Sequence, residues 1–203
     1  MASLVSAVLS YPRFCLALRP RYPVWYFEAV QFLGGIVLWG FVFAWYTKYT
    51  GRPVFTLEVD WQTFVLTTVL GLAFAALLYL CQDPPLRRLG PEDFPSSPPQ
   101  WLARVLFNLG FEQLFLIFAP FAWLMRLFQR KRAALTMTVL FGVFVLLVRN
   151  QTSKAPASSG LLLMLVAVRI VTGLLSVALF LRGGVWLVCW YSLLVQSRLV
   201  LDI

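Results

Sequence analysis

The sequence predicts an all-α fold, a polytopic transmembrane helical bundle of about six spans with interfacial amphipathic segments, and three observations predict it. Hydrophobic residues make up 61% of the 203-residue chain and charged residues only 12%, where an average soluble domain carries roughly 25% charged residues. The apolar residues fall in runs close to the twenty or so that a hydrocarbon core of about 30 Å requires. Short polar or proline-rich stretches separate the runs and leave no length for a soluble domain.

Residues 1–23 carry Arg13, Arg19 and Arg21, no acid, and a short apolar stretch from Leu4 to Leu9. That stretch is shorter than the core of a signal peptide, so the segment reads as a retained interfacial piece. A two-helix front part follows over 25–82. Its first span, Trp25 to Tyr46, has aromatic residues at both ends and Gly34, Gly35 and Gly40 where another helix can approach. Its second span is Trp61 to Cys81, after a polar loop that holds Gly51, Pro53, Glu58 and Asp60.

Residues 83–100 are rich in proline and read as a linker of extended or turn character, because proline lacks the backbone donor a helix needs. A four-helix core occupies 101–203. The run Trp101 to Phe128 is too long for one ordinary span and contains Pro120. It is therefore expected to divide into a membrane helix ending near Phe118 and an amphipathic interfacial piece ending in basic residues. Ala133 to Val148, Leu161 to Leu181 and Val185 to Val200 are the remaining spans, the last two separated by Gly183-Gly184. The whole of 1–203 reads as a single membrane domain.

Seventeen Lys and Arg stand against eight Asp and Glu. The basic residues lie mostly in short segments between spans, which suits anionic lipid headgroups better than nucleic acid. Leaving aside Arg104 and Arg169, which fall within spans, the other fifteen divide eight to seven between the two sides of a six-span chain, and the early cluster favours a cytoplasmic N-terminus. The expected location is a multi-pass position in a bacterial-type inner membrane. Histidine is absent, which removes imidazole as metal ligand, general base or axial ligand. Cys15, Cys81 and Cys189 form no C-x-x-C pair, so no zinc or redox motif is expected. No cofactor is expected beyond bound lipid, although eight Trp and eighteen Phe would also suit contact with a quinone or pigment.

Ionisable residues inside a span are costly, so function is sought there first. Glu28 lies close enough to its span end to reach the interface. Glu112 and Arg169 do not. Asn108, four residues before Glu112 and on the same helical face, is placed to share a hydrogen bond with it. The structural reading is a Glu112–Asn108 or Glu112–Arg169 clamp between helices. A transport path would have only these residues and Thr172 to line it.

The order of parts in the last hundred residues resembles the CPBP family, the CAAX-prenyl-protease-like or Abi intramembrane proteins. That family shows E-E-x-x-x-R, an amphipathic piece, F-x-x-x-H, a glycine-containing helix, and H-x-x-x-N on its last helix. Here the first motif falls on Glu112 and Gln113, with Ile117 at the arginine position. The second falls on Phe141 to Val145, with Val145 at the histidine position. The last falls on Ser192 to Gln196, with Ser192 for histidine. The resemblance implies a four-helix core with an intramembrane hydrolytic site, but one whose proton-handling histidines are missing.

The expected function is accordingly that of a pseudoenzyme: a non-catalytic accessory or structural subunit, or a scaffold, that meets lipids and other integral membrane proteins through its helix faces. A glutamate-dependent intramembrane protease using Glu112 and Gln113 is the alternative.

Overall fold

The computed structural model describes residues 1–17, 23–56, 58–153 and 156–203. Arg19, Arg21 and Lys154, counted above among the basic residues of the rim, lie outside them. The described residues form an all-α bundle of six helices: α1 Ala2–Ala17, α2 Val24–Thr50, α3 Trp61–Leu89, α4 Pro98–Phe128, α5 Lys131–Thr152 and α6 Ser159–Ser197. Helices α2 to α6 are long and apolar enough to cross a membrane.

The solvent for which this bundle is built is written in the polarity of its surface. Leu33, Ile36 and Val37 of α2, Val65, Val69 and Leu72 of α3, Leu140 and Phe144 of α5, and Leu163 and Val171 of α6 are all exposed. The residues turned inward include Gly35, Thr67, Gly71, Thr138, Gly142, Gly173 and Ser176. A water-soluble bundle would reverse that pattern. Small residues inside and large apolar residues outside are how helices pack in lipid, where close backbone approach replaces hydrophobic burial. At Gly71 an added Cβ would stand 2.9 Å from the side chain of Leu194. The protein is a membrane protein.

Helix α4 is the hub, packing against α1, α2, α5 and α6. Its Phe118 and Phe121 are buried with Phe180 of α6 and Tyr46 of α2. The Tyr46 and Phe180 rings stack with centroids 4.2 Å apart, and Phe118 meets Phe180 at 4.7 Å. Each such aromatic pair contributes about 0.5–1.5 kcal/mol beyond the area it covers.

Helix α1 lies antiparallel along the first half of α2. Ser3 Oγ donates to the carbonyl of Phe32 at 2.9 Å, and Phe14 meets Phe27 with ring centroids 5.8 Å apart. Ser3, Ser6 and Ser10 are buried, while Leu4, Val5 and Val8 face out. Trp39 Nε1 donates to Ser6 Oγ at 3.0 Å, and Gln31 Nε2 donates to the carbonyl of Ser6 at 3.2 Å and to Ser10 Oγ. The N-terminal segment is therefore tied to the bundle by a polar seam.

Helix α6 breaks where the two glycines predicted a turn. Gly183 has φ −133° and ψ 19°, and Gly184 has φ 63° and ψ −158°, a conformation essentially confined to glycine. The end of α2 and the loop after it close the break. Tyr46 Oη donates to the carbonyl of Phe180 at 2.8 Å and Arg52 Nη1 donates to that of Leu181. On the other side of the break, Val185 N–H donates to the carbonyl of Val54 at 3.0 Å. Backbone groups left unpaired by the interruption thus find partners elsewhere in the chain.

Two expectations are corrected. Residues 83–100, expected as a linker of extended or turn character, keep that character only over 90–97: α3 runs on to Leu89, a 3₁₀ turn spans Pro91–Asp93, and α4 begins at Pro98. The prolines are tolerated by position. Pro98 and Pro99 open α4, where the missing donors have no partner to lose, and a π-helical turn over Leu78–Gln82 precedes Pro84 and Pro85.

Nor does Trp101 to Phe128 divide at Pro120. It is one continuous helix whose last ten residues bury Phe121, Ala122, Leu124 and Met125. Two π-helical turns, Asn108–Glu112 and Leu114–Phe118, lie just before the proline. Such turns already depart from the regular ladder, so loss of one donor is absorbed there.

Candidate functional site

The polar residues that the sequence marks out meet near the midpoint of α4. In its first π-helical turn the extra residue per turn rotates the following side chains, so positions five apart share a face. Asn108 and Gln113 are so related: Gln113 Nε2 donates to Asn108 Oδ1 at 3.4 Å. Asn108 Nδ2 donates to Glu112 Oε2 at 2.6 Å, which is the four-residue pairing expected from the sequence. Asn108 is thus the hub, giving to the carboxylate and receiving from the carboxamide.

The last helical segment supplies the fourth member. Ser192 is buried on the part of α6 that packs against α3 and α4. Its hydroxyl donates to Asn108 Oδ1 and accepts from Gln113 Nε2 at 3.2 Å. Glu112, Asn108, Gln113 and Ser192 therefore form one hydrogen-bonded group across two helices. Each bond is internal to the group, and together they hold the middle of α4 to the end of α6. Gln113 Oε1 stays buried without a partner.

Arg169 stands apart. Among the described residues no carboxylate lies within 4.0 Å of its guanidinium, so the Glu112–Arg169 clamp is not formed, although the two charges are within Coulombic reach. Arg169 instead lies across α5 at Gly142, where an added Cβ would come within 2.8 Å of its Nε. Its Nη2 is buried without a partner. Thr172 turns back on its own helix, donating to the carbonyls of Val168 at 2.9 Å and Arg169 at 3.1 Å. Val145 lies on α5 one turn beyond Gly142, half-buried. Glu28 is half-buried on α2, with Oε1 unpartnered among the described residues. Among the described residues no group of three Cys, Asp or Glu side chains is placed to hold a metal ion.

A second polar junction was not foreseen. Asp83, within the stretch read as a linker, is buried and receives Arg198 Nε at 2.9 Å and Nη2 at 3.3 Å. The signal in the sequence was an acid directly after an apolar run and an arginine directly after another, both at the same end of the bundle. Compared with protein-family models, curated proteins and solved structures, the chain matches none.

Proposed function

We propose that this chain is a multi-pass integral membrane protein of a bacterial-type inner membrane, acting as a non-catalytic structural or accessory subunit of a membrane complex. The observation that carries this reading is the internal pairing of the mid-membrane polar group. Glu112, Asn108, Gln113 and Ser192 are hydrogen-bonded to one another, Gln113 Oε1 apart, as groups that bind helices together are. Hydrolysis at this position would need a base or a second carboxylate to ready a water, and the positions that the CPBP resemblance gives to histidine hold Val145 and Ser192. The broad exposed apolar faces of α2, α3, α5 and α6 suit lipid and the helices of other membrane proteins.

The CPBP-like reading of 101–203 gains support from one contact. Gln113 and Ser192 stand at the positions of the second glutamate and the last histidine of that family, 79 residues apart, and their side chains are hydrogen-bonded. The same contact keeps the glutamate-dependent protease as a second reading, with Glu112 the only carboxylate in the group.

Tagged wild type and Glu112→Gln, purified from native membranes in mild detergent and identified with their companions by mass spectrometry, separate the two. The subunit reading expects the same stoichiometric companions in both. A solitary protein whose Glu112→Gln form holds a membrane substrate that the wild type releases overturns it.

A further inference from the structure

At the end of the bundle that holds Asp83 and Arg198, a cavity of about 470 Å³ opens between the end of α3, the start of α4 and the α5–α6 connection. Its walls are mixed. Arg104, Arg149, Gln82 and Asn150 supply polar groups, and Leu86, Leu146 and Leu165 apolar ones. On α5 Leu146 lies one turn deeper than Asn150, and on α3 Gln82 lies one turn deeper than Leu86, so polar and apolar groups line the cavity side by side.

The charge here is unbalanced. Arg104 lies within Coulombic reach of one carboxylate, Glu112, and of three arginines, Arg13, Arg149 and Arg198, and of these Arg198 is neutralised by Asp83. Arg104 itself donates through Nη1 to the backbone carbonyl of Asp93 and lies 6.0 Å from the Phe94 ring centroid, contacts that fix the guanidinium without cancelling its charge. Among the described residues no carboxylate lies within 4.0 Å of Arg104 or Arg149. Asp93 also lines the cavity, at an exposed position. Gln82 Oε1 is buried with no donor in the protein.

We propose that this cavity binds the headgroup of an anionic phospholipid, with Arg104 and Arg149 holding the phosphate and an acyl chain following Leu146 and Leu165. Two arginines with no carboxylate within 4.0 Å among the described residues suit a phosphate by charge and by their forked donors. The leucines beside the arginines, Leu146 and Leu165 among them, distinguish a lipid from a free anion, and the unpartnered carbonyl of Gln82 favours a headgroup with a hydroxyl to donate, as phosphatidylglycerol has. The pocket lies where helix ends meet the headgroup layer.

The full chain, delipidated in a neutral detergent, is titrated with phosphatidylglycerol, with phosphatidylcholine and with inorganic phosphate, and bound lipid and thermal midpoint are read together. Phosphatidylglycerol is expected to bind and raise the midpoint. Arg149→Gln, at an exposed position, is expected to weaken that binding by about tenfold or more, and Arg182→Gln at the other end of the bundle to leave it unchanged. Equal effects of phosphatidylcholine, equal effects of inorganic phosphate, or undiminished binding by Arg149→Gln would each overturn the proposal. Should Arg149→Gln lower the midpoint before any lipid is added, the tenfold loss is read instead from native mass spectra of its folded fraction.

Discussion

Arg198 closes the C-terminal helical segment onto α3 by gripping the buried carboxylate of Asp83 with both Nε and Nη2, while its Nη1 donates to the carbonyl of Val195 at 2.7 Å. Asp83 is only 2% exposed, so neither charge has water to fall back on.

Removing one partner alone leaves the other buried and unpaired. Asp83→Ala and Arg198→Ala are each expected to destabilise the protein by about 3–5 kcal/mol, and the Asp83→Leu, Arg198→Leu pair by much less than the sum of the singles. Reversible unfolding in mixed micelles measures this, and simple additivity would show that the two side chains do not act together.

Gly184 offers a sharper steric test. A Cβ there would lie 2.4 Å from the carbonyl oxygen of Val54 and would have to adopt φ 63°. Gly184→Ala is expected to cost more than about 2 kcal/mol, from backbone strain and from displacement of the Val54 loop. Gly34→Ala, with nothing within 4 Å, serves as the control and is expected to be neutral or slightly stabilising.

The polar group on α4 distinguishes charge from hydrogen bonding. Glu112→Gln retains an acceptor for Asn108 Nδ2 and is expected to shift stability by less than about 1 kcal/mol. Glu112→Ala removes the acceptor, strands the amide of Asn108, and is expected to cost about 1–3 kcal/mol. Comparable losses for both would mean that the carboxylate charge itself holds the site.

Asp60 gives a pH dependence outside the membrane. The Thr63 hydroxyl and backbone N–H, which its carboxylate caps at the start of α3, hold its pKa below the ordinary value. A folded pKa below the unfolded one, about 3.9, means that the contribution of the charged cap is fully present above that value. It is lost as pH falls through the lower folded value. The thermal midpoint of wild type relative to Asp60→Asn, which keeps a capping acceptor, is expected to be constant from pH 7 to 5 and to fall below about pH 4. A constant difference throughout would exclude the capped carboxylate as the cause.

The helices were legible because lipid demands one simple property, a long apolar run, and each of the five long helices has it. Boundaries were harder to read where proline stood. Its disfavour in helices holds for a regular ladder, and Pro84, Pro98, Pro99 and Pro120 sit at helix starts or beside π-helical turns, which composition does not reveal. Glu112 and Asn108 were paired correctly because their spacing is local. The partnership of Asn108 with Gln113 escaped because a π-helical turn changes which positions share a face, and Asp83 with Arg198 because it joins residues 115 apart. Ser192 came into view through the resemblance of its surroundings, since nothing in an isolated serine announces a partner.

The serine face of α1 also bears on how the chain is made. As it leaves the ribosome, a helix with Ser3, Ser6 and Ser10 on one side lacks partners for those hydroxyls, because Trp39 and Gln31, which donate to Ser6 and Ser10, and the Phe32 carbonyl, which accepts from Ser3, have yet to be synthesised. Burial of the serine face of α1 therefore waits for α2, which carries its partners. Residues 1–17 are in that sense translated before α2 yet settled only with it.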